Sequence, residues 1–287
     1  MEYASNPVLT SILVDELYEK SGTIKPTARG TTMRYSSAFG CLRQQGYAGM
    51  DYEPTEPMDA SGAWVTGLGT IIHEHLQEAI GRKFPSAQFE VSSKIGDISG
   101  SCDALISTHD VGSYFGGTHV LYELKTMGTF SFDKQVGWNR MRGNRSDKGP
   151  GGPAIKAVAQ AGINALGIET ENPEIRIETL IMGSIAFEAL SKNKAENMGV
   201  DGANRFLAEF YVSRDEWEPI AVSEVGRIQS AADVLKSGNL PERFAVDDEC
   251  QFIELNPRGR FWQCDYCSFR SQCDSDGAGQ VPINKID

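Results

Sequence analysis

Apolar residues recur along this chain in two rhythms, and the gaps between them mark loops. Residues 7–20 place Val8, Leu9, Ile12, Leu13 and Leu17 at the spacing of one helical face. Residues 37–48 predict a second helix, which contains Cys41. Residues 62–81 predict a longer one, with Trp64, Leu68, Ile71, Ile72, Leu76 and Ile80 on its apolar side. The rhythm then changes. Runs at 88–95, 98–107 and 118–126 are rich in Val, Ile and aromatic residues, the composition of strands. Residues 137–153 hold glycine, proline and charge without a period and predict a loop. Helical spacing returns over 154–167. Strands are expected near 175–183 and 205–212, and a helix near 215–236 leads into an irregular tail. Helices, a β meander, a helix, strands and a helix in that order predict an α/β or α+β fold built on a central mixed sheet.

Composition narrows the class. The chain has 287 residues, 40% hydrophobic and 23% charged, which excludes wholesale disorder, collagen and coiled coil. No run approaches the roughly 20 apolar residues that span a bilayer, so no membrane partner is expected. The first 20 residues carry acids within their apolar stretch and lack a basic start. They do not read as a signal peptide, and a cytoplasmic protein of a bacterial or phage-infected cell is expected. The net charge of −12 argues against a general polyanion binder, unless basic groups are concentrated in one place.

The cysteines change the picture more. There are six, Cys41, Cys102, Cys250, Cys264, Cys267 and Cys273, too few for a disulfide scaffold. Three fall in the pattern Cys264-x2-Cys267-x5-Cys273. Two thiolates separated by two residues can grip one centre from a single turn, and the third can close from the other side. Zinc and cubane iron–sulfur clusters both want a fourth ligand. Cys250 is near in sequence; Cys41 can be near only through the fold. Spacing alone separates neither the two candidates nor the two metals. Cys102 reads as a small buried residue.

A second constellation is acidic. In Val120-Leu121-Tyr122-Glu123-Leu124-Lys125, alternation puts Leu121, Glu123 and Lys125 on one face of a strand. If 98–107 pairs with it antiparallel, Asp103 sits beside Glu123. The two carboxylates can then bind a hard divalent cation. Lys125 would stand at the edge of that site, where it could help activate water or offset charge on a phosphate. The alternative is a surface Glu–Lys pair on an edge strand. The long helix carries His73 and Glu74, but not the His-Glu-x-x-His of a zinc protease, because residue 77 is Gln77. Gln160 is a polar residue within an otherwise apolar helix.

Taken in order, Cys41, Gly69…His73-Glu74, Gly100-x2-Asp103, Glu123-Leu-Lys125, Gln160 and the three tail cysteines form a set. It resembles the RecB-like branch of the PD-(D/E)XK nucleases, and within it the iron–sulfur exonucleases of the CRISPR-associated "Cas-four" type, which also occur in phages. The likeness runs from about residue 34 to 273. Ser37-Ala-Phe-Gly-Cys41-Leu-Arg43 looks like that family's first-cysteine helix. The resemblance implies a restriction-endonuclease-like core, a mixed sheet flanked by helices, as one nuclease domain over 1–287. An iron–sulfur subdomain would form from about 34–60 and 240–280. It implies a [4Fe–4S] cluster on Cys41, Cys264, Cys267 and Cys273. It also implies Mn²⁺ or Mg²⁺ on His73, Asp103, Glu123 and the backbone carbonyl of Leu124, with Lys125 and Gln160 catalytic. The family's Gln-x3-Tyr motif is broken, because Asn164 stands where its tyrosine would be.

The implied activity is a metal-dependent DNA exonuclease that favours single-stranded or frayed ends, in phage recombination or replication or in CRISPR spacer acquisition. Its partners would be DNA and the recombination or CRISPR-adaptation proteins, and a homo-oligomer is left open. DNA would need basic groups outside the acidic site. Lys134, Arg140, Arg142, Arg145 and Lys148, with Trp138 among them, suit phosphate contacts and base stacking; the alternative is a solvated loop. No Gly-x4-Gly-Lys-(Ser/Thr) loop is present, so the chain has no ATP motor of that kind. Two other readings compete: an inactive DNA-binding adaptor that keeps the nuclease fold, and a zinc-stabilised binding protein.

Overall fold

The computed structural model describes residues 32–56, 58, 60–139, 144–145, 151–199, 202–242 and 262–277. The helix expected over 7–20 and the residue Cys250 lie outside them. The chain divides into two compact units. One takes Arg34–Phe39 and Ile72–Arg227; the other takes Gly40–Ile71 and the chain from Ile228 on.

The first unit is built on a six-stranded sheet. Its strands are β1 (Met33–Arg34), β2 (Gln88–Ile95), β3 (Ile98–Ser107), β4 (His119–Met127), β7 (Ile177–Ala186) and β8 (Leu207–Ser213), in the order β1-β3-β4-β7-β8, with β2 also paired to β3. A separate ribbon joins β5 (Trp138–Asn139) to β6 (Asn144–Arg145) inside the segment expected to be a loop. β2, β3 and β4 are antiparallel in turn, β4 and β7 run parallel, and β7 and β8 are antiparallel. The sheet is therefore mixed, and helices flank it. The parallel step needs a crossover, which α3 (Thr129–Val136) and α4 (Ile155–Glu171) supply between β4 and β7, and α5 (Lys192–Met198) lies between β7 and β8.

α4 is apolar nearly all round because both its sides are covered. Ala159, Ala161, Ile163, Ala165 and Ile168 are fully buried. Gly162 lets it approach Trp217 and Ala221, where a Cβ would collide, and Gly167 does the same against Tyr35 and Ser93. Small residues thus let the helix pack closely on the elements around it, and one polar side chain, Gln160, reaches a strand.

The structure departs from the sequence expectation at two helices. Residues 37–48 are not one helix: a 3-10 turn over Tyr35–Ser37 is followed by α1 (Leu42–Gly49), with Cys41 at its N-cap. The long helix α2 (Ala60–Lys83) does not bury one continuous stripe. Trp64 and Ile71 are 54% and 60% exposed, whereas Ile80 packs against a core cluster around Ala104 and Ile106. The helix passes from one unit to the other at Ile71 and Ile72, so its two halves answer to different surroundings.

The second unit contains α1, the first part of α2, the end of α6 (Arg214–Lys236), a 3-10 turn over Trp262–Tyr266 and α7 (Arg270–Ser275). Side chains tie its distant segments together. The Tyr47 hydroxyl donates to Asp276 Oδ2 at 2.6 Å, Arg43 pairs with the same carboxylate at 3.3 Å, and Tyr47 stacks on the buried ring of Phe269 at 5.4 Å. Glu56 accepts from the Ser271 amide at 3.1 Å and from its hydroxyl.

Candidate active site and cysteine centre

The β3–β4 ladder pairs Ala104 with Tyr122, and the next rung sets Asp103 beside Glu123. There the backbone ladder gives way to a side chain: Leu124 donates its amide hydrogen to Asp103 Oδ2 at 2.6 Å. His73, on α2, brings Nδ1 to 3.5 Å from Asp103 Oδ1. Glu123 Oε1 accepts from Lys125 Nζ at 2.7 Å and from Gln160 Nε2 at 2.9 Å, and Lys125 Nζ also donates to Gln160 Oε1 at 3.3 Å. Glu123 Oε2 is buried and has no hydrogen-bond partner. The sheet register and two helices thus bring His73, Asp103, Glu123, Leu124, Lys125 and Gln160 to one place.

The electrostatics follow from burial. Glu123 is 1% exposed, and burial pushes its pKa up to about 7, with Lys125 opposing and Asp103 reinforcing the rise. Hydrogen bonding to Asp103 holds the pKa of His73 above its ordinary value against the opposing effect of burial. Two carboxylates, an imidazole and a lysine gathered in this way suit a hard cation with a phosphate beside it. As they stand, no three His, Cys, Asp or Glu side chains among the described residues are drawn close enough to form a finished metal site.

The basic segment divides. Lys134 is exposed, with its Nζ 4.8 Å from the centre of the Phe130 ring. Trp138 is 8% exposed and packs in a core cluster with Phe132, Leu190 and Met198. Lys194, paired with Asp133 at 2.9 Å, lies 5.5 Å from its ring. This corrects the stacking role expected of Trp138, whose ring serves packing. Arg140, Arg142 and Lys148 lie outside the described residues; Arg145 belongs to β6, and its side chain is not described. Asn164, at the family's tyrosine position, is fully buried and donates to the Ser101 carbonyl at 2.9 Å. Its side chain is thereby held against the sheet.

Sequence reasoning passed over Lys156. It lies four residues before Gln160, so helical spacing alone puts it on the same face. The residue as a whole is exposed, but the protein groups around its ammonium lower its pKa, first by desolvation and then through the charge of Lys125.

In the second unit, Cys41, Cys264, Cys267 and Cys273 are all half-buried, and no described cysteine is in a disulfide. Burial pushes the Cys267 pKa up to about 12, and the charges of Cys41, Cys264 and Cys273 add to the rise. The amide of Phe269 donates to Cys267 Sγ at 3.5 Å and opposes it. Cys102 is buried in the sheet, where burial raises its thiol pKa strongly.

No protein-family profile matches the chain, and no curated protein matches it. Among solved structures it is similar to LHK-Exo in complex with dAMP, at 12% identity over 74% of this chain and 95% of that one, with a TM-score of 0.39. It is also similar to a phage-related exonuclease from Haemophilus somnus 129PT, at 11% identity over 72% and 96%, with a TM-score of 0.41.

Proposed function

We propose that this chain is a divalent-metal-dependent DNA exonuclease that hydrolyses phosphodiester bonds. The observation that supports it is Glu123. It is a buried carboxyl beside Asp103, with one oxygen held by Lys125 and Gln160 and the other held by nothing. Packing has no use for such a group, since apolar residues in place of buried ionic ones are often neutral or stabilising. A cation gives the orphaned oxygen a partner.

The donor set fits Mn²⁺ or Mg²⁺: Asp103, Glu123 and His73 would hold it, with the carbonyl of Leu124 joining them by the resemblance. When bound, the cation supplies Lewis-acid charge to the phosphate and acidifies water. The chain's own groups do the rest. The Leu124 amide fixes the Asp103 carboxylate. Gln160 and Lys125 occupy Glu123 Oε1 and leave Oε2 available. Lys125 Nζ stands at the edge of the site, where negative charge grows on the phosphate.

Exonucleolytic cleavage, the preference for single-stranded or frayed ends, and a setting in phage recombination or CRISPR spacer acquisition follow from the resemblance. In the same reading Cys41, Cys264, Cys267 and Cys273 hold a [4Fe–4S] cluster. Its support is a half-buried thiol at Cys267 whose pKa the charges of the three other cysteines raise further, an arrangement that bound metal would stabilise. One zinc ion would satisfy the same four sulfurs.

The test is digestion of end-labelled single- and double-stranded DNA by anaerobically purified protein with Mn²⁺, Mg²⁺ or chelator, and with Lys125→Ala in parallel. A metal-dependent product ladder that Lys125→Ala loses is expected. DNA binding without cutting would overturn the enzyme in favour of an adaptor. Iron, sulfide and zinc analysis decides the cysteine centre.

A further inference from the structure

We propose that Lys156 is a substrate-binding residue of this site, contacting the phosphate next to the one being cleaved. The inference rests on the nuclease reading above. Lys156, Gln160 and Asn164 stand four residues apart along α4, so their side chains line one face at intervals of about one turn, or roughly 6 Å. Exposure falls steadily along that line. Lys156 is exposed, Gln160 half-buried and Asn164 fully buried. The face therefore leads from solvent into the molecule, and Gln160, which holds Glu123 and Lys125, marks the depth of the reacting groups. Lys156 is one turn further out, a rise comparable to the step between neighbouring phosphates on a strand.

Two further observations single it out. Among the described residues Lys156 makes no ion pair or hydrogen bond, so no described carboxylate accounts for it. It is also near enough to Lys125 for the two positive charges to repel. Glu123 Oε1, 2.7 Å from Lys125 Nζ, offsets the charge of Lys125 alone, and a phosphodiester beside the two cations would give Lys156 a counter-charge as well. On a chain of net charge −12, such a cation at the mouth of the acidic site gives DNA a local attraction that the whole molecule denies it.

The experiment measures both binding and turnover. Binding of a fluorescent single-stranded oligonucleotide to Lys125→Ala and to Lys125→Ala/Lys156→Ala is followed across a salt series. Digestion by otherwise wild-type Lys156→Ala and Lys156→Arg gives kcat and KM. Loss of one phosphate contact should weaken binding several-fold and reduce the slope of log K against log salt by about 1. KM should rise about tenfold with kcat within about threefold, and Lys156→Arg should keep most of the binding. A neutral methylphosphonate at the neighbouring phosphate should weaken wild-type protein as much as Lys156→Ala does, with no further loss in the variant. Unchanged slope and KM in Lys156→Ala would overturn the contact, and so would additive losses in that cycle. A fall in kcat alone would overturn it too, by moving Lys156 to the reacting phosphate. If the parent protein neither binds nor cuts DNA, the nuclease reading itself fails, an outcome distinct from a parent that cuts and a variant that matches it.

Discussion

The acidic site and the cysteine centre are held in opposite ways. Asp103 and Glu123 are neighbours because the antiparallel ladder of β3 and β4 runs up to the adjoining pair, Ala104 and Tyr122, and the Leu124 amide locks the aspartate. The backbone does the positioning, and the helices add only His73, Gln160 and Lys156. The cysteines come from the start of α1 and from the chain around α7, far apart in sequence. One backbone bond joins those segments, from the Glu56 amide to the Ser268 carbonyl at 3.0 Å, and the rest is side chains, from Arg43 and Tyr47 to Asp276 and from Glu56 to Ser271. A site carried by sheet register can lose a functional group and keep its shape. A site assembled from side chains at the chain's two ends depends on each bond, and on whatever the sulfurs hold. Damage to the first should therefore appear in activity, and damage to the second in stability.

The sharpest separation is expected from Asp103→Ala. Cleavage should fall by a factor on the order of 10³ while thermal stability and cysteine-bound metal stay at parental levels. Initial rates on end-labelled DNA, a melting curve and metal analysis read this together. A drop in stability as large as the drop in rate would show that the acidic site also holds the fold.

The converse is Cys41→Ser. Metal at a structural site contributes its binding energy to folding, so loss of one ligand should remove the bound metal and destabilise the second unit by several kcal/mol. Proteolysis should then open the region around α1 and α7 before the sheet. Full metal content in this variant would exclude Cys41 as a ligand and return the choice to Cys250.

Titration probes the acidic site without mutation. The folded-state pKa of Glu123 is raised to about 7 from an ordinary 4.5, so the folded protein binds more protons than the unfolded chain between those values. Stability of metal-free protein should be greatest for this group below about pH 4.5. It should fall as pH rises towards 7, by at most about 3 kcal/mol, and then level off. Melting curves in chelator from pH 4.5 to 8 check this. Glu123→Gln should flatten the dependence, and an unchanged slope in that variant would assign it to other groups.

Much of this was legible in the sequence, for reasons that differ by residue. Alternation placed Glu123 and Lys125 on one face of a strand, and the short gap between β2 and β3 and the β-rich run after it made the antiparallel meander readable. Gln160 stood out because α4 is otherwise apolar. Trp138 misled because tryptophan among arginines suggests a stacking platform, and nothing local shows that Phe132 and Leu190 close over it. Trp64 and Ile71 misled because helical spacing predicts a face without saying which unit will cover it. Lys156 was invisible because a lysine in a first helical turn looks like solvated charge until Gln160 is seen bonded to Glu123. The bonds of Tyr47 and Glu56 join residues more than two hundred positions apart, and no local pattern carries them.

The smallest expected effect tests the comparison most closely. Tyr47→Phe removes one hydroxyl, keeps the ring on Phe269 and leaves the Arg43–Asp276 pair in place. The bond the hydroxyl donates to the Asp276 carboxylate and the one it accepts from Arg43 Nε at 3.0 Å are both lost, and bonds to charged groups contribute roughly 1.5–3 kcal/mol. The ion pair that survives on the same Asp276 oxygen compensates in part, so a loss nearer 1–2 kcal/mol is expected, a few degrees in melting temperature. The Mn²⁺ concentration for half-maximal cleavage should not move, because none of the groups around Asp103 and Glu123 belongs to the unit that Tyr47 holds. A hydroxyl deletion that shifted that concentration would mean that the side-chain-built unit sets the geometry of the backbone-built one, and the two regions would have to be treated as a single coupled site.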